Sequence, residues 1–128
     1  MRNWLRKLSI LGCAVAGLVT GCKGGQTTYF YSVNTGGSAR RGKATIVAYG
    51  CGKCHTIPGI YGAKGVVGPP LAAVSRRTYI AGNFPNTPDN LVHWVMAPQI
   101  MKPRTAMPEL GLSEQQARDV TAYLYTLR

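Results

Sequence analysis

The strongest helical pattern in the chain lies near its C-terminal end. Apolar residues recur there at the spacing of one helix face, at Ala117, Val120, Leu124 and Leu127. Ser113 and Gln116 precede this stripe at the spacing of a capping box, in which each side chain bonds the other residue's backbone N–H. The pattern therefore predicts a final helix that begins just after Ser113.

Two further helices are predicted upstream. The first begins at Ala39 and carries an apolar stripe, which Gly50 and Gly52 interrupt; its members are Ala44, Val47, Ala48 and Cys51. The second begins with Thr87 as cap, Pro88 in the first turn and Asp89 beside the positive end of the helix dipole. Its apolar side is formed by Leu91, Trp94 and Val95, and Pro98 ends it.

Long segments rich in Gly and Pro separate these helices, at residues 51–86 and 98–112, and show neither strict alternation nor a repeat. The chain is thus predicted to contain a small all-α domain of three or more short helices with long loops. Helices that each bury one stripe supply little core, and small domains of this kind usually contain a metal, disulfides or a cofactor.

Residues 1–21 have the pattern of an export signal. Arg2, Arg6 and Lys7 precede an apolar run from Leu8 to Val19, which is shorter than the roughly 20 residues that cross a bilayer. The following Val19-Thr20-Gly21-Cys22 resembles the lipobox of bacterial lipoproteins. That resemblance implies that Cys22 is lipidated and anchors an exported protein to a bacterial membrane, with its domain on the periplasmic or extracytoplasmic side. An ordinary signal peptide and an uncleaved anchor are the alternatives.

Residues 22–38 are predicted to link Cys22 to the domain at 39–128. Gly pairs stand near both ends of this segment, which shows no helical period and suits a flexible linker. The alternative is an extension that packs on the domain through Tyr29, Phe30 and Tyr31.

Composition supports a folded and basic domain. The chain has 128 residues, of which 45% are hydrophobic, and carries a formal net charge of +11. Such a charge suits an acidic protein, an anionic membrane or nucleic acid, but export and the lack of a basic aromatic stripe argue against nucleic acid. The acids Asp89, Glu109, Glu114 and Asp119 are scattered and form no paired carboxylates. The sequence therefore predicts a protein that is not itself an enzyme.

The chemistry is concentrated in Cys51-Gly52-Lys53-Cys54-His55. A C-x-x-C-H run is the attachment signature of a c-type haem: two thiols bond the porphyrin and the histidine binds its iron. A zinc site would want a second Cys/His pair, and a thioredoxin-like dithiol would want a βαβ unit. A Cys51–Cys54 disulfide would leave the small core unexplained. One covalent haem c is therefore the predicted cofactor.

A sixth iron ligand has several candidates. They are His93, Met96, Met101 and Met107. Met107 ranks first because Pro103 and Pro108 flank it in a stiff loop, and Met101 ranks second. Spacing alone leaves this choice open.

Together these motifs resemble class I cytochromes c over residues 39–128. Gly68-Pro69-Pro70-Leu71 is similar to the family's G-P-x-L segment, which implies that the Pro69 carbonyl orients His55. Thr105-Ala106-Met107-Pro108 is similar to the segment that supplies the axial Met. Ala122-Tyr123-Leu124 resembles the last helix, whose aromatic residue would pack on Gly42. The resemblance also implies haem propionate contacts at Arg76, Arg77 or Tyr79.

The resemblance implies electron transfer. The domain is similar to the cytochrome c modules associated with haem–copper terminal oxidases, which suggests a membrane-tethered carrier between a quinol-oxidising complex and such an oxidase. Lys53, Lys64, Lys102 and Arg104 would form a basic rim that attracts partners with acidic surfaces. The alternatives are the electron outlet of a periplasmic dehydrogenase or reductase complex, and a ligand-binding haem protein.

Overall fold

A computed structural model of the chain describes residues 34–128. Its four helices are α1 (Ala39–Ala48), α2 (Pro88–Met96), α3 (Pro98–Met101) and α4 (Glu114–Leu124). Short 3₁₀ turns occur at Cys51–Lys53 and Val74–Arg76, and two short strands, β1 (Tyr79–Ile80) and β2 (Phe84–Pro85), form a hairpin. The prediction of a small all-α domain with long loops is confirmed, although the hairpin and α3 were not predicted. No helix of residues 34–128 has both the length and the apolar composition to cross a membrane.

Helices α2 and α4 follow the predicted signals. The Thr87 side chain accepts a hydrogen bond from the Asn90 backbone N–H at 3.2 Å and begins α2. Both bonds of the capping box between Ser113 and Gln116 are present at the start of α4. The predicted stripe is buried, with Ala117, Val120 and Leu124 in α4 and Leu127 three residues beyond its end. These helix starts could be predicted because a cap involves only neighbours along the chain.

The predicted apolar stripe of α1 is wrong. Ala44, Val47 and Ala48 are exposed, and the buried residues of the helix are Gly42 and Ile46. A Cβ at Gly42 would overlap the backbone carbonyl of Asp119 in α4, so only a glycine allows this approach. Helix α1 therefore buries the face that carries Gly42, because its backbone crosses that of α4 closely there. The face with more apolar residues stays exposed.

Residues 34–38, which end the predicted linker, pack against α4. Thr35 is buried, and the Ser38 backbone N–H donates to Asp119 Oδ1 at 2.7 Å. The Arg41 guanidinium binds both oxygens of the same carboxylate, at 2.7 and 2.8 Å. The predicted signal sequence, Cys22 and the aromatic residues 29–31 lie outside the described residues.

Arg41 also governs the charge state of Asp119. The hydrogen bonds from Arg41 hold the pKa of the Asp119 carboxyl below its ordinary value, while burial opposes this shift. The N-terminal end of α1 is thereby joined to α4 by a buried carboxylate that stays ionised.

Candidate functional site

One cavity of about 770 Å³ is formed where α1, α2, α4 and the long loops meet. Apolar side chains supply much of its wall, including Ile46, Val74, Leu91, Val95, Val120 and Leu124. Ligand sites in proteins are commonly cavities of roughly 300–1,000 Å³ with mainly apolar linings and a few polar groups. Its polar and ionisable lining groups therefore define the candidate chemistry.

The first such groups come from the end of α1. Gly50 has a φ of 68°, a left-handed conformation that turns the chain out of the helix into the 3₁₀ turn Cys51–Lys53. Cys51, Cys54 and His55 then line the cavity together. Both cysteines are half-buried free thiols, and burial raises the pKa of the Cys51 thiol. Within the described part of the chain, no three Cys, His, Asp or Glu side chains cluster as a metal site.

The ring of His55 is held in one orientation. Its Nδ1 lies 2.8 Å from the Pro69 carbonyl oxygen, and a carbonyl only accepts, so Nδ1 carries the proton. In the neutral tautomer with this proton, Nε2 carries the lone pair through which an imidazole binds a metal. A Cβ at Gly68 would overlap the His55 ring, so this glycine lets the loop that bears Pro69 approach the imidazole closely. The contact is the one that the family resemblance implies.

Among the candidates for a sixth ligand, the structure brings Met107 to the same cavity. Met107 is half-buried, and Thr105, Ala106 and Pro108 line the wall beside it. Of the described residues, His93, Met96 and Met101 are not part of this lining. Sequence spacing left these alternatives open, and of the four candidates only Met107 lines the cavity.

The segment around Met107 is bound by a residue that sequence reasoning missed. The Gln99 side-chain Nε2 donates to the backbone carbonyls of Thr105 at 2.7 Å and Met107 at 3.0 Å. Gln99 lies in α3, within residues 98–112, which were predicted to form a loop. Pro98 at the first helical position was the available signal, because proline favours that position.

Only some of the expected basic residues lie at the cavity. Arg77 lines the cavity and donates to the carbonyls of Pro70 and Ala72, and Tyr79 also lines it. Arg76 is exposed and lies outside the lining. Of the two arginines, only Arg77 therefore lines the cavity.

Lys53 and Lys102 join Arg77 in the lining, and no acidic residue belongs to it. Lys102 was expected at a basic rim, and its Nζ also donates to the Ala81 carbonyl at 2.9 Å, which ties the Met107 loop to the hairpin. Lys64 and Arg104 are exposed and lie outside the lining. The described cavity wall is therefore positively charged, which favours anionic groups.

Comparison with known proteins agrees with this site. The family model of cytochrome c matches residues 39–128, and the chain belongs to the cytochrome c family. The fold described above is the small cytochrome c fold, and its members are haem proteins that transfer electrons.

The chain is also similar to the cytochrome c oxidase subunit 2 of Alkalihalophilus pseudofirmus. The two are 31% identical over 91 residues, which is 70% of this chain. The match spans only 26% of that relative's length, so the two chains share one region rather than a whole architecture.

Family membership implies covalently bound haem with iron, and the residues present fit that group. Two thiols, an imidazole with a free Nε2 and a thioether meet in one largely apolar cavity. Imidazole and thioether are ligands of haem iron in electron-transfer proteins. The arginine and lysines in the wall suit the carboxylates of a haem.

Proposed function

We propose that this chain is a single-haem electron carrier, tethered to a bacterial membrane by lipidated Cys22. It passes one electron at a time between respiratory complexes and toward a terminal oxidase. The observation that carries the proposal is the convergence of Cys51, Cys54, His55 and Met107 on one apolar cavity.

Each of these residues has a distinct role. Cys51 and Cys54 would form the thioethers, and His55 through Nε2 and Met107 through sulfur would hold the iron. Bound haem supplies the redox chemistry, because its iron takes up and releases one electron. Pro69 keeps the imidazole in the required tautomer through the 2.8 Å contact at Nδ1. Arg77 and Tyr79, which line the cavity, would contact the propionates.

The apolar wall explains why a carrier, rather than an oxygen-activating enzyme, is expected. Side chains such as Leu91 and Val120 line the cavity and would shield a bound haem from water, which would limit the solvent reorganisation that a change of charge requires. With His55 and Met107 both bound, a substrate would have to displace a ligand to reach the iron. A Met ligand also raises the reduction potential, as suits transfer toward an oxidase.

The proposed partners are supported by the positive charge of the cavity wall and by the similarity to an oxidase subunit. Lys53, Arg77 and Lys102 give the cavity wall a positive potential that attracts acidic redox proteins and favours their association at low salt. Similarity to an oxidase subunit supports a terminal oxidase as the acceptor. The donor in this proposal is a quinol-oxidising complex. Co-purification with an oxidase in fixed stoichiometry would instead assign the chain as a subunit of that complex.

The anchor increases the encounter rate with membrane complexes. A lipidated chain is confined to a thin layer at the membrane, which raises its effective concentration there. We expect Cys22→Ser to release the protein from bacterial membranes, whereas Cys13→Ser, inside the proposed signal, leaves it bound. Retention of the Cys22→Ser protein would overturn the lipid anchor without affecting the haem assignment.

Ligation is tested by the weak near-infrared sulfur-to-iron band of the oxidised protein. Wild type and Met101→Ala should show the band, and Met107→Ala should lose it. Loss of the band in Met101→Ala alone would identify Met101 as the ligand in place of Met107. Absence of the band in wild type, with ready binding of carbon monoxide after reduction, would overturn the carrier and favour a ligand-binding haem protein.

A further inference from the structure

Helix α3 and the segment that follows it are joined by hydrogen bonds from the Gln99 side chain. Pro98 is buried, with under 2% of its surface exposed, and fixes the start of α3 in the core. The chain then turns back on itself: the Lys102 N–H donates to the Pro98 carbonyl at 2.8 Å, and the Thr105 N–H to the Lys102 carbonyl at 3.1 Å. The Gln99 side chain bridges this turn by hydrogen bonds to the carbonyls of Thr105 and Met107.

Gln99 bonds both ends of the segment that carries Met107 into the cavity. Its single amide nitrogen donates to the Thr105 and Met107 carbonyls, so both amide protons are used within residues 105–107. Within the segment, the Met107 N–H adds only a long contact to Thr105 Oγ1, at 3.4 Å. Arg104 just before it has a φ of 65°, which costs a non-glycine residue conformational energy.

We infer that Gln99 is a positioning residue that holds residues 105–107 closed and thereby sets how readily Met107 leaves the iron. The inference rests on the proposed function, in which Met107 is an iron ligand. The segment cannot swing away from the cavity without breaking both Gln99 hydrogen bonds. Their loss would raise the population of the open form, and the apparent affinity for an outside ligand rises in proportion to that population.

The experiment measures binding of imidazole to the oxidised, haem-loaded, full-length protein through loss of the sulfur-to-iron band. We expect Gln99→Leu to raise the apparent affinity about tenfold, the factor that one or two net hydrogen bonds supply. Gln99→Glu keeps the size of the side chain but directs a carboxylate at two carbonyl oxygens. We therefore expect it to raise the affinity at least as much.

The matched control is Gln115→Leu. Gln115 Nε2 also donates two hydrogen bonds, to the Gly36 carbonyl at 3.1 Å and to Asp119 Oδ1 at 3.2 Å, but Gln115 lies outside the cavity lining. Its variant should lower thermal stability and leave imidazole affinity within twofold of wild type. Equal imidazole affinities for the Gln99 and Gln115 variants would overturn the inference.

Met107→Ala separates the two proposals. If this variant keeps the sulfur-to-iron band, the ligand assignment fails and the inference fails with it. If it loses the band while both Gln99 variants bind imidazole as wild type does, the ligand assignment stands and only the role of Gln99 is overturned.

Discussion

Gly42 in α1 lies directly against the backbone carbonyl of Asp119 in α4, with no room for a side chain between them. Both neighbours are backbone within helices, so neither can move aside as a flexible side chain would. The same α4 residue binds Arg41 and the Ser38 N–H through its carboxylate. Asp119 therefore joins α4 to the N-terminal part of the domain through its backbone and its side chain at once.

This contact predicts that Gly42→Ala destabilises the fold. At an open helix position alanine would gain about 1 kcal/mol over glycine. Here the overlap forces the helices apart, and we expect a net loss of about 2 kcal/mol in the free energy of unfolding. Urea unfolding followed by circular dichroism measures it, with the exposed neighbour Lys43→Ala as control. A Gly42→Ala protein as stable as wild type would show that α1 and α4 leave room for a methyl group at this position.

Asp119 makes stability depend on pH. Because its folded pKa is lowered, chiefly by the Arg41 hydrogen bond, the ionised carboxylate stabilises the fold above the unfolded pKa. That contribution is lost as the pH falls below about 4 and through the folded pKa. We expect Asp119→Asn to lower Tm by roughly 5–10 °C at pH 7, with a smaller difference at pH 3. A Tm difference that is equal at the two pH values would contradict this, and Glu114→Gln, an exposed carboxyl in the same helix, is the control.

Thr121 offers a stabilising substitution. Its hydroxyl is buried and has no hydrogen-bond partner among the described residues. Thr121→Val removes this unpaired group at nearly constant shape, and we expect about 1 kcal/mol of added stability by chemical unfolding. Thr126→Val is the matched control, because the Thr126 hydroxyl donates to the Tyr123 carbonyl at 2.6 Å and its loss brings no gain. If Thr121→Val is less stable than wild type, the hydroxyl has a partner after all.

Gly68 should be required for the orientation of His55. A Cβ at this position would displace the imidazole by about 1 Å to restore a normal contact, which moves Nδ1 relative to the Pro69 carbonyl. Gly68→Ala should therefore give less haem-loaded protein, and a fraction of its reduced form should bind carbon monoxide.

The control for Gly68→Ala is Gly62→Ala, where no atom lies within 4 Å of an added Cβ. That variant incurs only the strain of a φ of 74°, so its spectrum should match wild type. Reduced-protein spectra with and without carbon monoxide make the comparison. A wild-type spectrum for Gly68→Ala would mean that the ring tolerates displacement.

The charge of Lys53 should influence electron transfer to anions. Lys53 lines the cavity wall, so Lys53→Glu should slow oxidation of the reduced protein by ferricyanide several-fold at low ionic strength. The difference should shrink toward 1 M salt, where the screening length is about 3 Å. Lys43→Glu makes the same charge change on α1, outside the cavity lining, and should have a smaller effect. If the two substitutions slowed oxidation equally, the net charge of the protein would determine the rate, and the position of Lys53 at the cavity would not.

Several features of this protein follow from short stretches of sequence. The starts of α2 and α4 were predicted correctly because caps at Thr87 and Ser113 involve residues only three positions away. The candidate chemistry at Cys51, Cys54 and His55 likewise lies within five consecutive residues. The buried stripe of α4 was predicted because helical periodicity is itself local.

Other features depend on parts of the chain that are distant in sequence. The buried face of α1 was predicted wrongly because it depends on the carbonyl of Asp119, 77 positions after Gly42 in the chain. Met107 and Arg77 line the cavity while Met101 and Arg76 do not, and this depends on how the long loops fold. The role of Gln99 exists only because α3 turns the chain back on itself. Sequence by itself thus determined the helix starts and the chemical groups available, since these depend on near neighbours. Only the tertiary structure decided which groups meet, because steric fit between distant segments is not encoded in any local pattern.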